Sequence, residues 1–177
     1  EWVMGVNLWS VIHGLRVFVP QMIAQDTQCH IVNTASVASL LGASTNAGYA
    51  VTKHGVVALT EILYRDLEAQ NLKIGASVLC PGLIDTRIMD SGRNRPASLI
   101  NDEVPAALTQ EQEAGRAAFA AALKEGMKPE QLAEIVFAGQ SIAFGQRAGD
   151  NAFDDLFIDP VTQLGCAKGR AVGPGVL

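Results

Sequence analysis

The chain is poor in the residues that build disulfide frameworks and metal centres. It holds three cysteines, Cys29, Cys80 and Cys166, and three histidines, His13, His30 and His54. No Cys-x-x-Cys occurs, the cysteine count is odd, and no histidine has a partner at metal-ligand spacing. A disulfide scaffold and a metal site are therefore not expected. The cysteines read as reduced residues of a cytoplasmic protein, two of them near strands. Basic charge is also scarce: 13 Lys+Arg stand against 18 Asp+Glu, a net charge of -5. That balance gives no electrostatic footprint for nucleic acid or for an anionic membrane, and neither is expected as a partner. The apolar stretch from Trp2 to Leu15 ends at Arg16 and falls short of the roughly 20 residues a membrane span needs. No basic leader or small-residue cleavage site accompanies it. Two catalytic turns are missing as well. Gly42-Ala43-Ser44-Thr45-Asn46 lacks the final glycine of a hydrolase elbow and does not directly follow a strand, and no Walker loop exists.

What is present is the composition of a globular domain, 49% hydrophobic and 18% charged in 177 residues. Trp2 to Ile23 reads as a helix buried on most sides, with Pro20 placed to kink its end. Cys29 to Thr34 is a short β-branched run and reads as a strand. Ala35 to Gly48 has loop chemistry. Tyr49 to Gln70 reads as a second helix, with Glu61 and Arg65 as an i,i+4 pair on its exposed side. Leu72 to Leu79 reads as the next strand, closed by Cys80-Pro81-Gly82. Strand, helix and strand at this spacing form a βαβ unit and predict a parallel sheet. Beyond it, residues 84–104 read as polar and irregular, 105–125 and 129–144 as helices, and Leu156-Phe157-Ile158 as a candidate third strand. The divisions expected are an α/β domain over 1–150 and a divergent, poorly ordered tail over 151–177.

The chemistry concentrates around Tyr49-Ala50-Val51-Thr52-Lys53. A tyrosine and a lysine four apart share one helix face, and an ammonium near a phenol stabilises the phenolate. That pairing suits a general acid/base. Ser36, thirteen residues upstream by the numbering, lies at a strand end where a hydroxyl can hold a substrate oxygen. Ser39 and Ser44 compete with it. Arg87, Arg93 and Arg95 either touch substrate or cofactor phosphate or belong to a solvated loop. Tyr64 has Glu68 four residues on, lacks a cationic partner, and reads as structural.

Four segments in order resemble the short-chain dehydrogenase/reductase family. Val6-Asn7-Leu8 is similar to its helix motif with the active-site asparagine. Ile31-Val32-Asn33-Thr34-Ala35-Ser36 is similar to the strand ending at the catalytic serine. Tyr49 and Lys53 resemble the tyrosine–lysine pair. Pro81-Gly82-Leu83-Ile84-Asp85-Thr86 resembles the segment that closes over the nicotinamide. The resemblance implies a Rossmann-like doubly wound parallel sheet, present here as its C-terminal part of about three strands with flanking helices. It implies an NAD(P)-dependent oxidoreductase interconverting a secondary alcohol and a carbonyl compound. Ser36, Tyr49, Lys53 and Asn7 would be catalytic, with Ser36 and Tyr49 contacting the substrate. Tyr49, Lys53, Pro81, Gly82, Ile84 and Thr86 would bind NAD or NADP. The substrate loop would span about residues 86–125, and the two long helices would pair in a homodimer or homotetramer.

The family's Gly-rich pyrophosphate turn is not found before Asn7, so the 177 residues by themselves are expected to be inactive. The alternative is a non-catalytic remnant that keeps the packing and binds no cofactor.

Overall fold

The computed structural model describes residues 1–38, 46–101, 107–143 and 157–158. Helix α1 runs through Trp2–Gln25, with a π-helical stretch at Gly5–Trp9 and regular α-helix over Ser10–Gln25. Strand β1 (Cys29–Thr34), helix α2 (Ala47–Ala69) and strand β2 (Ile74–Leu79) follow. Two 3-10 turns, Ile88–Asn94 and Ala97–Leu99, precede helices α3 (Gln110–Lys124) and α4 (Pro129–Ala143). Strand β3 is Phe157–Ile158. The candidate hydroxyls of Ser39 and Ser44, and most of the tail from 151 to 177, lie outside the described residues.

Strands β1 and β2 pair in parallel from Cys29↔Ile74 to Thr34↔Leu79, as the βαβ reading expects. Both preceding helices stop in the same way. Asp26 and Asn71 take left-handed φ of 50° and 51°, a conformation that short polar side chains tolerate. Each strand then starts three residues after its stop residue, so the stops help set the register. An ion pair from Lys73 to Asp26 at 2.9 Å ties the two turns together. The sheet is not parallel throughout: β3 pairs antiparallel with β2, Val78 opposite Ile158.

Both long helices pack on one face of this sheet. Val56, Val57, Val78, Ala35 and Cys80 form one buried cluster, with Leu8 and Val11 of α1 against it. Leu67, Ile74 and Ala76 form another, joined by Val19 and Met22. Val56 and Val78 are fully buried, each contributing about 1.5–3 kcal/mol by area. Gly55 lies where the two helices meet. A Cβ there would stand 3.1 Å from Leu8 Cδ1, so a larger residue would oblige the Leu8 side chain to give by a few tenths of an ångström.

Several expectations are corrected. Helix α1 has no buried residue: Leu8, Val11, Val19 and Met22 meet the core, while Val6, Trp9, Val17 and Phe18 are each at least half exposed. Its apolar residues occupy two stripes, and the described residues cover one. It includes Pro20, as expected, but runs on to Gln25, and at 24 residues is long and apolar enough by length and composition to cross a membrane, where the apolar run to Leu15 alone was too short. Glu61 and Arg65 form no ion pair; Glu61 Oε1 is shut from solvent without a hydrogen-bond partner. The stretch after Ile84 is not wholly irregular but carries two 3-10 turns. Helix α3 begins at Gln110, after Thr109, because Thr109 and Gln112 close a reciprocal capping box.

On the sheet face away from α2, His30 Nε2 lies 2.8 Å from Ser77 Oγ. Burial pushes the His30 imidazole below its ordinary value. A depressed histidine costs nothing while both folded and unfolded forms are neutral. Below about pH 6.5 the unfolded chain takes up a proton that the folded one refuses, and stability falls. Urea denaturation is expected to show that loss between about pH 7 and pH 5, with a flatter profile in His30→Gln.

Candidate active site

The site forms where β1 and β2 end and α2 begins, at the carboxyl edge of the parallel pair. Helix α2 starts at Ala47 because Asn46 Oδ1 accepts from Tyr49 N at 3.0 Å, an N-cap that also fixes the turn bearing the tyrosine. From that turn Lys53 Nζ lies 5.8 Å from the centre of the Tyr49 ring. The same ammonium donates to the carbonyl of Thr34, the last residue of β1, at 2.9 Å. Burial lowers the Lys53 pKa from its ordinary value, and nearby Cys80 works the other way. A lysine so placed exchanges its proton more readily than an exposed one.

Ser36 follows two residues after Thr34. The strand pairing persists beyond the ladder, with Ala35 N donating to Leu79 O at 2.7 Å and Val37 N to Pro81 O at 3.0 Å. Ser36 is thereby held alongside Cys80 and Pro81. Its Oγ accepts from Ala38 N at 3.2 Å, within the turn that leaves the strand. The segment from Pro81 to Thr86 leaves β2 at the same edge. Gly82 and Thr86 are exposed and Ile84 is half-buried.

Asn7 arrives from the other helix. It is the centre of the π-helical stretch Gly5–Trp9, a local widening that recurs at functional positions. Its Nδ2 donates to Thr52 Oγ1 at 3.2 Å, and Thr52 Oγ1 donates to Tyr49 O at 2.7 Å. Thr52 is fully buried and adjoins Lys53 in sequence. This link from Asn7 to the tyrosine turn escaped the sequence reading. Its one signal was a threonine in a helix interior, which usually returns its hydroxyl to the backbone.

The structure therefore brings Asn7, Ser36, Tyr49, Lys53, Pro81 and Gly82 to one edge. It gives Arg95 another use. The guanidinium lies 5.6 Å from the Trp2 ring centre and donates to Leu99 O and Asn101 Oδ1, so it staples the 3-10 segment to the start of α1. Arg87 pairs with Asp90, and Arg93 donates to Arg87 O.

The residues suit the nicotinamide half of a dinucleotide. A half-buried lysine and a tyrosine stand beside the carboxyl ends of the parallel strands, the end of an open α/β sheet at which such ligands sit. No helix N-terminus with a Gly-rich turn for the pyrophosphate occurs among the described residues. Thr52→Val is expected to strand the Asn7 amide without its acceptor and to cost about 1–3 kcal/mol in urea denaturation, with Thr52→Ser close to the unaltered protein.

Comparison with known proteins gives the context. The profile of the short chain dehydrogenase family matches residues 1–97. The chain is 33% identical over 139 residues to a C alpha-dehydrogenase of Sphingobium sp. (strain NBRC 103272 / SYK-6), covering 78% of this chain and 43% of that protein. It is 29% identical over 137 residues to a CLA biosynthesis dehydrogenase/reductase of Lactiplantibacillus plantarum, covering 77% of this chain and 48% of that one. A crystal structure of a short chain dehydrogenase/reductase from Burkholderia phymatum in complex with NAD is similar with a TM-score of 0.72 and 41% identity, over 79% of this chain and 49% of that one. The chain spans about half the length of these relatives. With a matched region that takes in Asn7, Ser36, Tyr49, Lys53 and the Pro81–Thr86 segment, the chain belongs to the short-chain dehydrogenase family.

Proposed function

We propose that this chain supplies the proton-transfer half of an NAD(P)-dependent oxidoreductase that interconverts a secondary alcohol and a ketone or aldehyde. The observation that carries the reading is Lys53, held 5.8 Å from the Tyr49 ring and tied to the strand end that leads to Ser36. When bound, the nicotinamide supplies or accepts the hydride.

Everything else is work for side chains of this chain. In the reducing direction negative charge develops on the carbonyl oxygen. Ser36 donates a hydrogen bond to that oxygen, where it counts for more than in the ground state. Tyr49 gives the same oxygen its proton, and the positive charge of Lys53 stabilises the phenolate left behind. In the oxidising direction the phenolate of Tyr49 takes the proton of the alcohol. Lys53 also holds the ribose of the cofactor, and Ile84 and Thr86 fix its carboxamide. Asn7, bonded to Thr52 beside Lys53, orders a path that returns protons from solvent. The reaction takes place in the cytoplasm.

The test is NADH- or NADPH-dependent reduction of cyclic and aryl ketones by the chain in its natural polypeptide, followed by nicotinamide absorbance. Tyr49→Phe is expected to lower kcat by about 10²–10⁴ while NADH affinity stays within a few-fold. Tyr49→Phe with unaltered turnover contradicts the assignment. No NADH binding by the unaltered protein leaves a fold that has kept its packing without the chemistry.

We further propose that the protein works as a homodimer or homotetramer through the uncovered stripe of α1 and the outer face of α2. Val6, Trp9 and Val17 on the one, and Val51 and Ile62 on the other, are at least half exposed. A row of that size invites a partner surface. Light scattering is expected to give a dimer or tetramer, and Trp9→Glu with Val17→Glu to give a smaller species. A monomeric unaltered protein contradicts this.

A further inference from the structure

The turn between α3 and α4 grips the segment that follows β2. Met127 N donates to Leu83 O at 3.0 Å, and Asp85 N donates to Met127 O at 2.9 Å. Ile84 and Met127 thereby pair as a single parallel bridge. Lys128 Nζ reaches the Asp85 carboxylate at 2.6 Å. Gly126 stands against the same backbone: a Cβ there would lie 2.4 Å from the carbonyl oxygen of Leu83 and 3.0 Å from that of Leu123. No side chain fits without moving one strand of the grip.

The position of this grip gives it a use. The held residues, Leu83 to Asp85, lie between Gly82 and Thr86, so they set where the nicotinamide-facing segment rests. The holding residues come just after α3, whose end closes the stretch that the family resemblance implies for the substrate. Resting on the dehydrogenase reading, we propose that Gly126, Lys128 and Asp85 are positioning residues that couple the C-terminal end of α3 to the placement of Ile84 and Thr86 at the nicotinamide.

The parts contribute unequally. The side chains of Lys128 and Asp85 are 56% and 34% exposed, so water screens much of their attraction. The backbone bridge and the missing Cβ supply most of the grip, and the ion pair selects its register. The Asp85 hydrogen bond raises the Lys128 pKa, as a persistent pair would. Because Asp85 adjoins both Ile84 and Thr86 in the chain, a slip at this one residue moves both.

Hydrogen exchange at the Asp85 and Met127 amides reads the grip without any cofactor. In the natural polypeptide, Gly126→Ala is expected to speed exchange at both about tenfold, and Lys128→Gln about threefold, with the inner amides of α2 unchanged. The charge-swapped pair Asp85→Lys with Lys128→Asp is expected to return exchange toward the original rate. The same Gly126→Ala protein should bind NADH about tenfold more weakly and show a raised KM for a carbonyl substrate, with kcat at saturation changed far less. Unchanged exchange in Gly126→Ala overturns the grip. Faster exchange with unaltered NADH affinity and KM overturns the coupling. Faster exchange in the variants of a protein that binds no NADH at all leaves the grip standing and removes the dehydrogenase reading, and the coupling with it.

Discussion

The hydrogen bond from Lys53 to the Thr34 carbonyl is the tie on which the site depends. It joins the first turns of a helix to the last residue of a strand, and so fixes the distance between the tyrosine that precedes Lys53 and the serine that follows Thr34. The tie requires two things of the chain. Parallel pairing must bring β1 and β2 to a common end, which the register from Cys29↔Ile74 to Thr34↔Leu79 does. Helix α2 must also start where that end lies, which the Asn46 cap does. Half-burying the ammonium is the cost of this arrangement, and the downward shift at Lys53 expresses it.

Around that tie the packing is economical. Gly55 lets Leu8 sink against α2, and the neighbour of Leu8 in the chain, Asn7, then meets Thr52. A buried hydroxyl bonded on both sides is satisfied, so the site reaches into the core without leaving a polar group unpaired at that point. The π-helical stretch at Gly5–Trp9 shifts the helix register where Asn7 sits. Core and site adjoin here: the cluster that buries Val56 and Val78 also takes in Ala35 and Cys80, which flank the site at the strand ends.

Much of this was legible from residue order alone. The β-branched run Ile31-Val32 and the later Ala-Ser-Val-Leu run marked both strands, and the Tyr49/Lys53 spacing placed two side chains on one helical face. Family resemblance supplied Asn7 and the Pro81–Thr86 segment. What escaped has physical reasons. Hydropathy records that Trp9 and Val17 are apolar but not which surface meets them, so α1 was expected to be buried and is not. The Thr52 link and the Leu83–Met127 pairing join residues distant in sequence, and one-dimensional periodicity carries no trace of either. The antiparallel β3 offered only a three-residue apolar cue, too short to declare a direction.

In the proposed function, the edge formed by Ser36, Tyr49, Lys53 and the Pro81–Thr86 segment receives the nicotinamide. The decisive experiment is titration of NAD into the isotopically labelled protein, in its natural polypeptide and followed by residue-resolved amide spectra. The largest shifts are expected at Ser36, Tyr49, Lys53 and from Gly82 to Thr86, with the outer stripe of α1 at Trp9 and Val17 unmoved. Shifts confined to other surfaces, or none at saturating NAD, would contradict that function.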